Sequence, residues 1–187
     1  MLRPQSKSNP LPSPSQWGVN DKILLTNIQR SKSPDIQSFC KLCGRLQEGG
    51  DAYMHEFLVA GGVNVLVQAI QNRISRQPLY EVDIVVLYEI LLCCAVVVEA
   101  PAGIDEFLDI SIGIESVARC LNFDSKIFSL KVLDILTAFC SHSVDAAQAV
   151  FKGLKVGSQY LSLYSIIFAY ILSVSVHVLI FADVCQI

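Results

Sequence analysis

The feature that most constrains the fold is a run of twenty residues, 79–98, that is apolar almost all round and contains no turn signal. The run is rich in valine, which favours strands, but a strand is usually about five or six residues long. A helix that is apolar on several sides must be buried on several sides. We therefore expect residues 79–98 to form the central helix of an all-helical core.

The segment before this run has the period of an amphipathic helix. Apolar residues fall three and four positions apart over residues 36–46, which is the spacing of one helical face. The pair Ser33-Pro34 is a helix start signal, and the pair Gly49-Gly50 is an end signal. Together these signals predict one amphipathic helix between the two pairs.

A motif recurs along the chain. Residues 57–70 contain Phe-Leu, then a glycine pair, then an apolar helical stretch, with Asp51 as the expected cap of the helix that leads into them. Residues 107–121 repeat the motif fifty residues later with one glycine, Gly113, in place of the pair. A fainter third start appears at 150–154, where Phe151 follows Phe107 by forty-four residues. Periods of about 40 to 47 residues with two or three helices per unit are typical of armadillo and HEAT repeats, allowing for loop insertions. Two units and part of a third are expected.

The composition indicates a binding module and not an enzyme. The chain is 52% hydrophobic and carries a net charge of -3, so it has no basic field for nucleic acid. It has neither a nucleophile elbow nor a phosphate-cradling loop, and its histidines are isolated from one another: His55, His142 and His177. The carboxylates of residues 105–109, and those of Glu81 and Asp83, are expected to form solvated helix edges. We expect no catalytic site and no cofactor.

The start of the chain has no export signal, so we expect a reducing compartment, in which the seven cysteines act as small hydrophobic residues and do not form disulfides. Four of them lie in apolar helical runs and are expected in the core: Cys93, Cys94, Cys120 and Cys140. Cys40 and Cys43 form one C-x-x-C, but a structural zinc site needs four ligands, and neither a second pair nor a nearby histidine follows. Their spacing is also ordinary for the buried face of a helix. We expect no metal site.

Several segments resemble one family of repeat proteins. The stretch AGGVNVLV at 60–67 resembles the armadillo signature, in which two glycines turn the chain between helices. Further segments are similar to the N-terminal GTPase-binding and formin homology 3 region of diaphanous-related formins: KILL at 22–25, SKSP at 31–34, GIDEFL at 103–108 and VLDILTAFC at 132–140. The resemblance covers residues 22–154. It implies an all-α, armadillo-like right-handed solenoid fragment of two to three units.

The resemblance also implies a function. Domains of this family bind an active Rho-type GTPase near the first unit and an autoregulatory helix of the same protein on the concave face. GTPase binding competes with that helix and releases the remainder of the full-length protein, which assembles actin. Gln47, Glu48 and Gly49 match the GTPase-contacting loop in position, although the asparagines usual in the family are absent.

The groove for the autoregulatory helix is carried over in the same way. Ala138 and Ser141 match positions that meet this helix. Ala95 stands where the family often has a basic residue, and Glu99 stands where an asparagine is common. The alternative to a formin is a generic armadillo scaffold that grips a peptide with no GTPase involved.

The two ends of the chain differ from its middle. Residues 1–20 are rich in proline and serine, lack the apolar segment of a secretory signal, and are expected to be a disordered tail. The regulatory domain is expected over 21–155, in the cytoplasm and associated with the cytoskeleton. Within 156–187, the stretch 160–181 is apolar and long enough to cross a bilayer. Either it is a membrane anchor, or it is non-native sequence from an unspliced intron or truncated gene model, which is favoured because the family continues differently.

Overall fold

The computed structural model describes residues 17–31, 35–76, 78–123 and 125–157. Within these ranges the chain is helical and contains no strand, so the predicted all-helical class is confirmed. The described elements are α1 Val19–Arg30, α2 Ile36–Glu48, α3 Gly50–Val59, α4 Gly62–Ile74, α5 Glu81–Val97, α6 Pro101–Asp109, α7 Gly113–Arg119, a 3-10 turn Cys120–Asn122, α8 Lys126–His142 and α9 Val144–Gly157.

The helix α5 is the centre of the core, as the apolar run predicts. It packs against α2, α4 and α8. Leu87, Ile90 and Leu91 in its middle are completely buried. The four cysteines predicted in the core are all buried as well: Cys93, Cys94, Cys120 and Cys140. A helix with neighbours on several sides needs apolar residues on several sides, which is why its sequence shows no clean polar face.

The contacts between helices form two series. In the first, α2 packs against α5 and α5 packs against α8; in the second, α4 packs against α7 and α7 packs against α9. The helices of the first series begin at Ile36, Glu81 and Lys126, so each start lies 45 residues after the previous one. The interval falls within the period of about 40 to 47 residues that the recurring motif suggests.

Local sequence explains the junction between α2 and α3. The Asp35 carboxylate caps α2 by accepting a hydrogen bond of 2.8 Å from the Ser38 N–H. Gly49 follows the last residue of α2, and Gly50 begins α3 with a φ of 63°, a value that glycine adopts without strain. The predicted cap of α3 is wrong: Gly49 occupies the cap position, and Asp51 lies within the first turn, where its charge favours the helix N-terminus. The pair at 33–34 lies outside the described residues.

The two copies of the Phe-to-glycine motif make similar contacts. Gly61 has a φ of 74°, and a Cβ on Gly62 would lie 2.2 Å from the ring of Phe57. In the second copy, a Cβ on Gly113 would lie 2.6 Å from the carbonyl oxygen of Phe107. Both distances are shorter than any real contact, so each glycine lets a helix start directly against the preceding phenylalanine. The motif is therefore a packing device as well as a turn.

Replacing Gly62 by alanine is expected to lower the free energy of unfolding by about 1–3 kcal/mol, because the new methyl group overpacks the Phe57 ring. Urea denaturation of the purified chain measures the change. Gly44, inside α2, is the matched control because a Cβ there meets no atom within 4 Å. Gly44→Ala is expected to stabilise the chain by about 0.5–1 kcal/mol, and a similar loss in both variants would contradict the packing argument.

The third copy of the motif differs from the prediction. The helix α9 runs without interruption through Gly153, so the faint third start at 150–154 does not turn the chain at its glycine as the first two copies do. A Cβ on Gly153 would lie 3.1 Å from the Cα of Glu115 in α7. Here the glycine permits close approach of two helices, and it does not break the chain.

The described chain begins slightly before the predicted boundary at residue 20. The helix α1 begins at Val19, and the ring of Trp17 packs edge-on against Tyr53, with ring centroids 4.9 Å apart. Residues 17–20, predicted as part of a disordered tail, are therefore packed against the helical domain through this contact. The apolar stretch at 160–181, for which the sequence leaves a membrane anchor or non-native sequence open, lies outside the described residues. In the described ranges no helix has the length and apolar character that crossing a membrane requires.

Candidate functional site

The predicted binding residues of α2 and α5 lie at the ends of these two packed helices. Gln47 and Glu48 are exposed in the last turn of α2, and Gly49 is half-buried directly after it. Glu99 is exposed two residues after the end of α5, and Ala95 is half-buried in the last turn of that helix. The residues carried over for two different partners therefore belong to adjacent helices.

A cleft of about 680 Å³ brings two of these residues together. It opens between the end of α2, the helix α3, the end of α5 and the start of α6. The floor of the cleft is apolar and includes two buried residues, Leu46 and Leu58, and two half-buried ones, Met54 and Val96. The rim is polar and includes four exposed residues: Gln47, Asp51, His55 and Glu99. An apolar floor within a polar rim is the usual composition of a site that binds another molecule.

Glu48 faces a different cleft from its neighbour Gln47. A second cleft of about 650 Å³ runs between α1 and α2, and its lining includes Glu48, Cys40, Gly44 and Ile23. Because consecutive residues of a helix point about 100° apart, two adjacent side chains readily face separate surfaces. Gln47 and Glu48 of the predicted loop thus face different clefts, and Gly49 lines neither of the two.

Ala138 and Ser141 lie on α8, outside the lining of both clefts. Ala138 is half-buried and Ser141 is exposed. The Ser141 hydroxyl donates a hydrogen bond of 2.9 Å to the carbonyl oxygen of Thr137, one turn earlier. His142 at the end of α8 lies 3.0 Å from a carboxylate oxygen of Asp105 in α6. This contact links α8 to the helix whose first residues line the 680 Å³ cleft.

A buried network centred on Asp21 supports the loop between α2 and α3. The Asp21 carboxylate accepts hydrogen bonds from two guanidinium nitrogens of Arg45, each at 2.9 Å. It also accepts hydrogen bonds from the Tyr53 hydroxyl at 3.0 Å and from the Gly18 N–H at 2.9 Å. The Arg45 hydrogen bonds hold the pKa of Asp21 below its ordinary value despite its burial. The network joins α1, α2 and α3 around one charge.

The same network explains why residue 49 is glycine. A Cβ on Gly49 would lie 2.4 Å from the Cβ of Tyr53. Tyr53 itself is almost completely buried, and burial raises the pKa of its hydroxyl. The loop therefore sits directly on a fixed aromatic ring, and its backbone is positioned before any partner arrives.

A second buried network joins the end of α4 to the start of α5. One oxygen of the Asp83 carboxylate lies 2.6 Å from a guanidinium nitrogen of Arg73 and 2.9 Å from one of Arg76. The other oxygen accepts a hydrogen bond of 3.2 Å from the Tyr80 N–H. The prediction that Asp83 is solvated is wrong, because this residue is only 2% exposed. Glu81, predicted with it, is exposed.

Both aspartates share a position that a sequence signal marks. Asp21 and Asp83 each stand three residues after the residue that caps their helix, Gly18 and Tyr80 respectively. This is where the acidic residue of a capping box lies. The signal predicts the hydrogen bond from the backbone N–H of the cap residue to the aspartate. It does not predict the arginine partners, of which Arg45 lies 24 residues after Asp21.

In the described part of the chain, no three His, Cys, Asp or Glu side chains are grouped as a metal ion would require. The 680 Å³ cleft offers instead an apolar surface flanked by two carboxylates, those of Asp51 and Glu99. Such a surface suits an apolar or basic side chain of another protein. Comparison of the chain with protein-family models, with curated proteins and with solved structures finds no match.

Proposed function

We propose that this chain is the regulatory protein-binding domain of a diaphanous-type formin, built as an armadillo-like stack of helices. The equal intervals between α2, α5 and α8, together with the two series of helix contacts, support the stack. The observation that carries the function is that Gln47 and Glu99 line one cleft. These residues are matched by resemblance to two different partners, a Rho-family GTPase and an autoregulatory helix.

A shared cleft supplies a physical reason for competition between these partners. A GTPase bound at residues 47–49 covers the end of the cleft formed by α2. An autoregulatory helix bound along Ala95, Glu99, Ala138 and Ser141 reaches the end formed by α5. Because the two ends enclose one volume of about 680 Å³, occupation of one restricts the other. Release of the helix then permits actin assembly by the remainder of the full-length protein at the cytoskeleton.

The test is a pull-down of Rho-family proteins by the full chain, with each GTPase loaded with GTP or with GDP. We expect the GTP form to be retained preferentially. Gln47→Arg, on the rim of the cleft, is expected to weaken retention at least about tenfold, because the longer charged side chain stands at the proposed contact and keeps the partner from approaching the loop closely. Gln68→Arg is the matched control, since Gln68 is exposed on α4 and outside the cleft.

The outcome of this experiment also decides the alternative function. Equal retention of the GTP and GDP forms, or no retention of either, would remove the GTPase from the proposal. The half-buried Met54 and Val96 on the floor of the cleft then favour an adaptor that grips a peptide through an apolar side chain. The adaptor would be supported if the chain binds peptides on an array, if Gln47→Arg weakens this binding, and if Gln68→Arg does not change it.

A further inference from the structure

Two buried thiols lie together between α2 and α5. The sulfur of Cys93 lies 3.5 Å from the carbonyl oxygen of Phe39. In an α-helix this carbonyl accepts the hydrogen bond from the residue four positions later, which is Cys43. The Cys93 sulfur therefore sits at the helical turn that carries Cys43, and the packing of α5 on α2 brings these two cysteines close together.

The two thiols differ in acidity. The hydrogen bond with Cys93 lowers the pKa of the Cys43 thiol, against the effect of its burial. The same hydrogen bond, together with complete burial, raises the pKa of Cys93. The pKa of the exposed Cys40 is raised by desolvation and by the neighbouring Glu89. The thiolate is the reactive form, and Cys43 is the member of the pair that keeps some exposed surface, so we assign Cys43 as the attacking thiol.

Cys43 is the more accessible of the two thiols. Its side chain keeps 7% of its surface exposed, whereas Cys93 has none exposed. The 650 Å³ cleft between α1 and α2 is lined by Cys40 and Gly44, which flank Cys43 on the same helix. Gly44 carries no side chain, and the space where its Cβ would lie has no atom within 4 Å. A molecule as small as hydrogen peroxide therefore has room beside Gly44, the residue next to Cys43 in the chain.

We propose that Cys43 and Cys93 form a redox pair, which hydrogen peroxide oxidises to a disulfide that ties α2 to α5. The Cys43 thiolate attacks one peroxide oxygen and breaks the O–O bond, which leaves a sulfenic acid and, after protonation, one water. The Cys93 sulfur then attacks the Cys43 sulfur and loses its proton, while the hydroxyl group departs as a second water. Two thiols lose two electrons, and one peroxide gains them.

Disulfide mapping of the full chain tests this pair. The chain is treated with hydrogen peroxide, alkylated without reduction, digested and analysed by mass spectrometry. The expected product is a cross-linked peptide that contains Cys43 and Cys93 and that dithiothreitol separates. Recovery of both thiols in alkylated form, or a cross-link from Cys43 to Cys40, would overturn the proposal. Because wild-type chain gives these outcomes, the test does not depend on how a variant folds.

Two variants and a stability measurement sharpen the result. Cys43→Ser is expected to abolish the cross-link, whereas Cys94→Ser, the matched control beside Cys93, is expected to retain it. The disulfide closes a loop of about fifty residues and should raise the midpoint of thermal unfolding by about 10 °C. This rise in the unfolding midpoint should appear when either the wild type or Cys94→Ser is treated with peroxide. An equal rise in Cys43→Ser would assign it to another modification and contradict the pair.

Discussion

Replacing Asp83 by asparagine is expected to lower the free energy of unfolding by about 3–5 kcal/mol, which is the usual cost of removing one partner from a buried ion pair. Arg73, whose side chain is 5% exposed, then keeps its charge in the interior without the carboxylate that lies 2.6 Å away in the wild type. Asparagine has nearly the same shape as aspartate, so the change isolates the charge. Urea denaturation followed by circular dichroism measures the loss.

The neighbouring residues provide the controls for this variant. Glu81→Gln removes a carboxylate two residues away on the exposed side of α5 and is expected to change stability by less than about 0.5 kcal/mol. Arg76→Ala should cost less than Asp83→Asn, because the Arg76 side chain is 32% exposed and water partly screens its charge. A loss for Asp83→Asn no larger than that for Glu81→Gln would show that this pair does not hold α4 to α5.

The same ion pairs predict how stability depends on pH. Burial raises the pKa of Asp83, but the hydrogen bonds and charges of Arg73, Arg76 and the Tyr80 N–H outweigh it, and the folded-state pKa lies below the ordinary value of 3.8. The pKa of Asp21 is lowered too, chiefly by Arg45. A lowered folded-state pKa means that the pair stabilises the fold above the ordinary pKa and that this contribution is lost as pH falls through 3.8 towards the folded value.

Urea midpoints measured from neutral pH down to about pH 2 should therefore fall steeply below about pH 4. The fall should be shallower in Asp83→Asn, which lacks one of these two arginine-paired carboxylates. Parallel curves for the variant and the wild type would show that Asp83 contributes nothing to the acid sensitivity.

The parts of the fold that could be predicted from sequence are those that local spacing determines. The helix α5 follows from a run that is too long for an ordinary strand and apolar on several sides, and the glycines after Phe57 and Phe107 follow from a repeated motif. Gly153 shows the limit of prediction from local sequence. A glycine close to a phenylalanine looks the same in the sequence whether it turns the chain or lets a neighbouring helix pack closely. Its contact with Glu115 is tertiary, so no local signal separates the two cases.

The candidate site shows the same limit. Resemblance supplied Gln47 and Glu99 as separate predictions, but their meeting in one cleft depends on how α2 packs against α5. The network of Asp21 with Arg45 and Tyr53 was missed because its members lie 24 and 32 residues apart. The only local signal for Asp21 is its spacing from the helix cap. Which side chains form hydrogen bonds with it depends on how the helices pack.

Replacing Phe107 by alanine is expected to lower the free energy of unfolding by about 3–5 kcal/mol. The ring is completely buried and meets Phe139 of α8 edge to face, with ring centroids 5.3 Å apart. Its loss leaves a cavity where α6, α7 and α8 meet, and the close contact with Gly113 limits collapse around it. Thermal and urea unfolding measure the loss. Ile127→Ala, at a side chain 70% exposed on α8, should change stability by less than about 0.5 kcal/mol.

Phe107 also connects stability to the candidate site. The first residues of α6, Pro101 and Ala102, line the 680 Å³ cleft, and Phe107 anchors that helix from its buried side. We therefore expect Phe107→Ala to weaken partner binding even under conditions in which most molecules remain folded, whereas Phe107→Leu, which keeps most of the volume, should cost less than about 1.5 kcal/mol and bind normally. Unchanged binding by folded Phe107→Ala would show that the α6 wall of the cleft takes no part in recognition, and would confine the site to α2, α3 and α5.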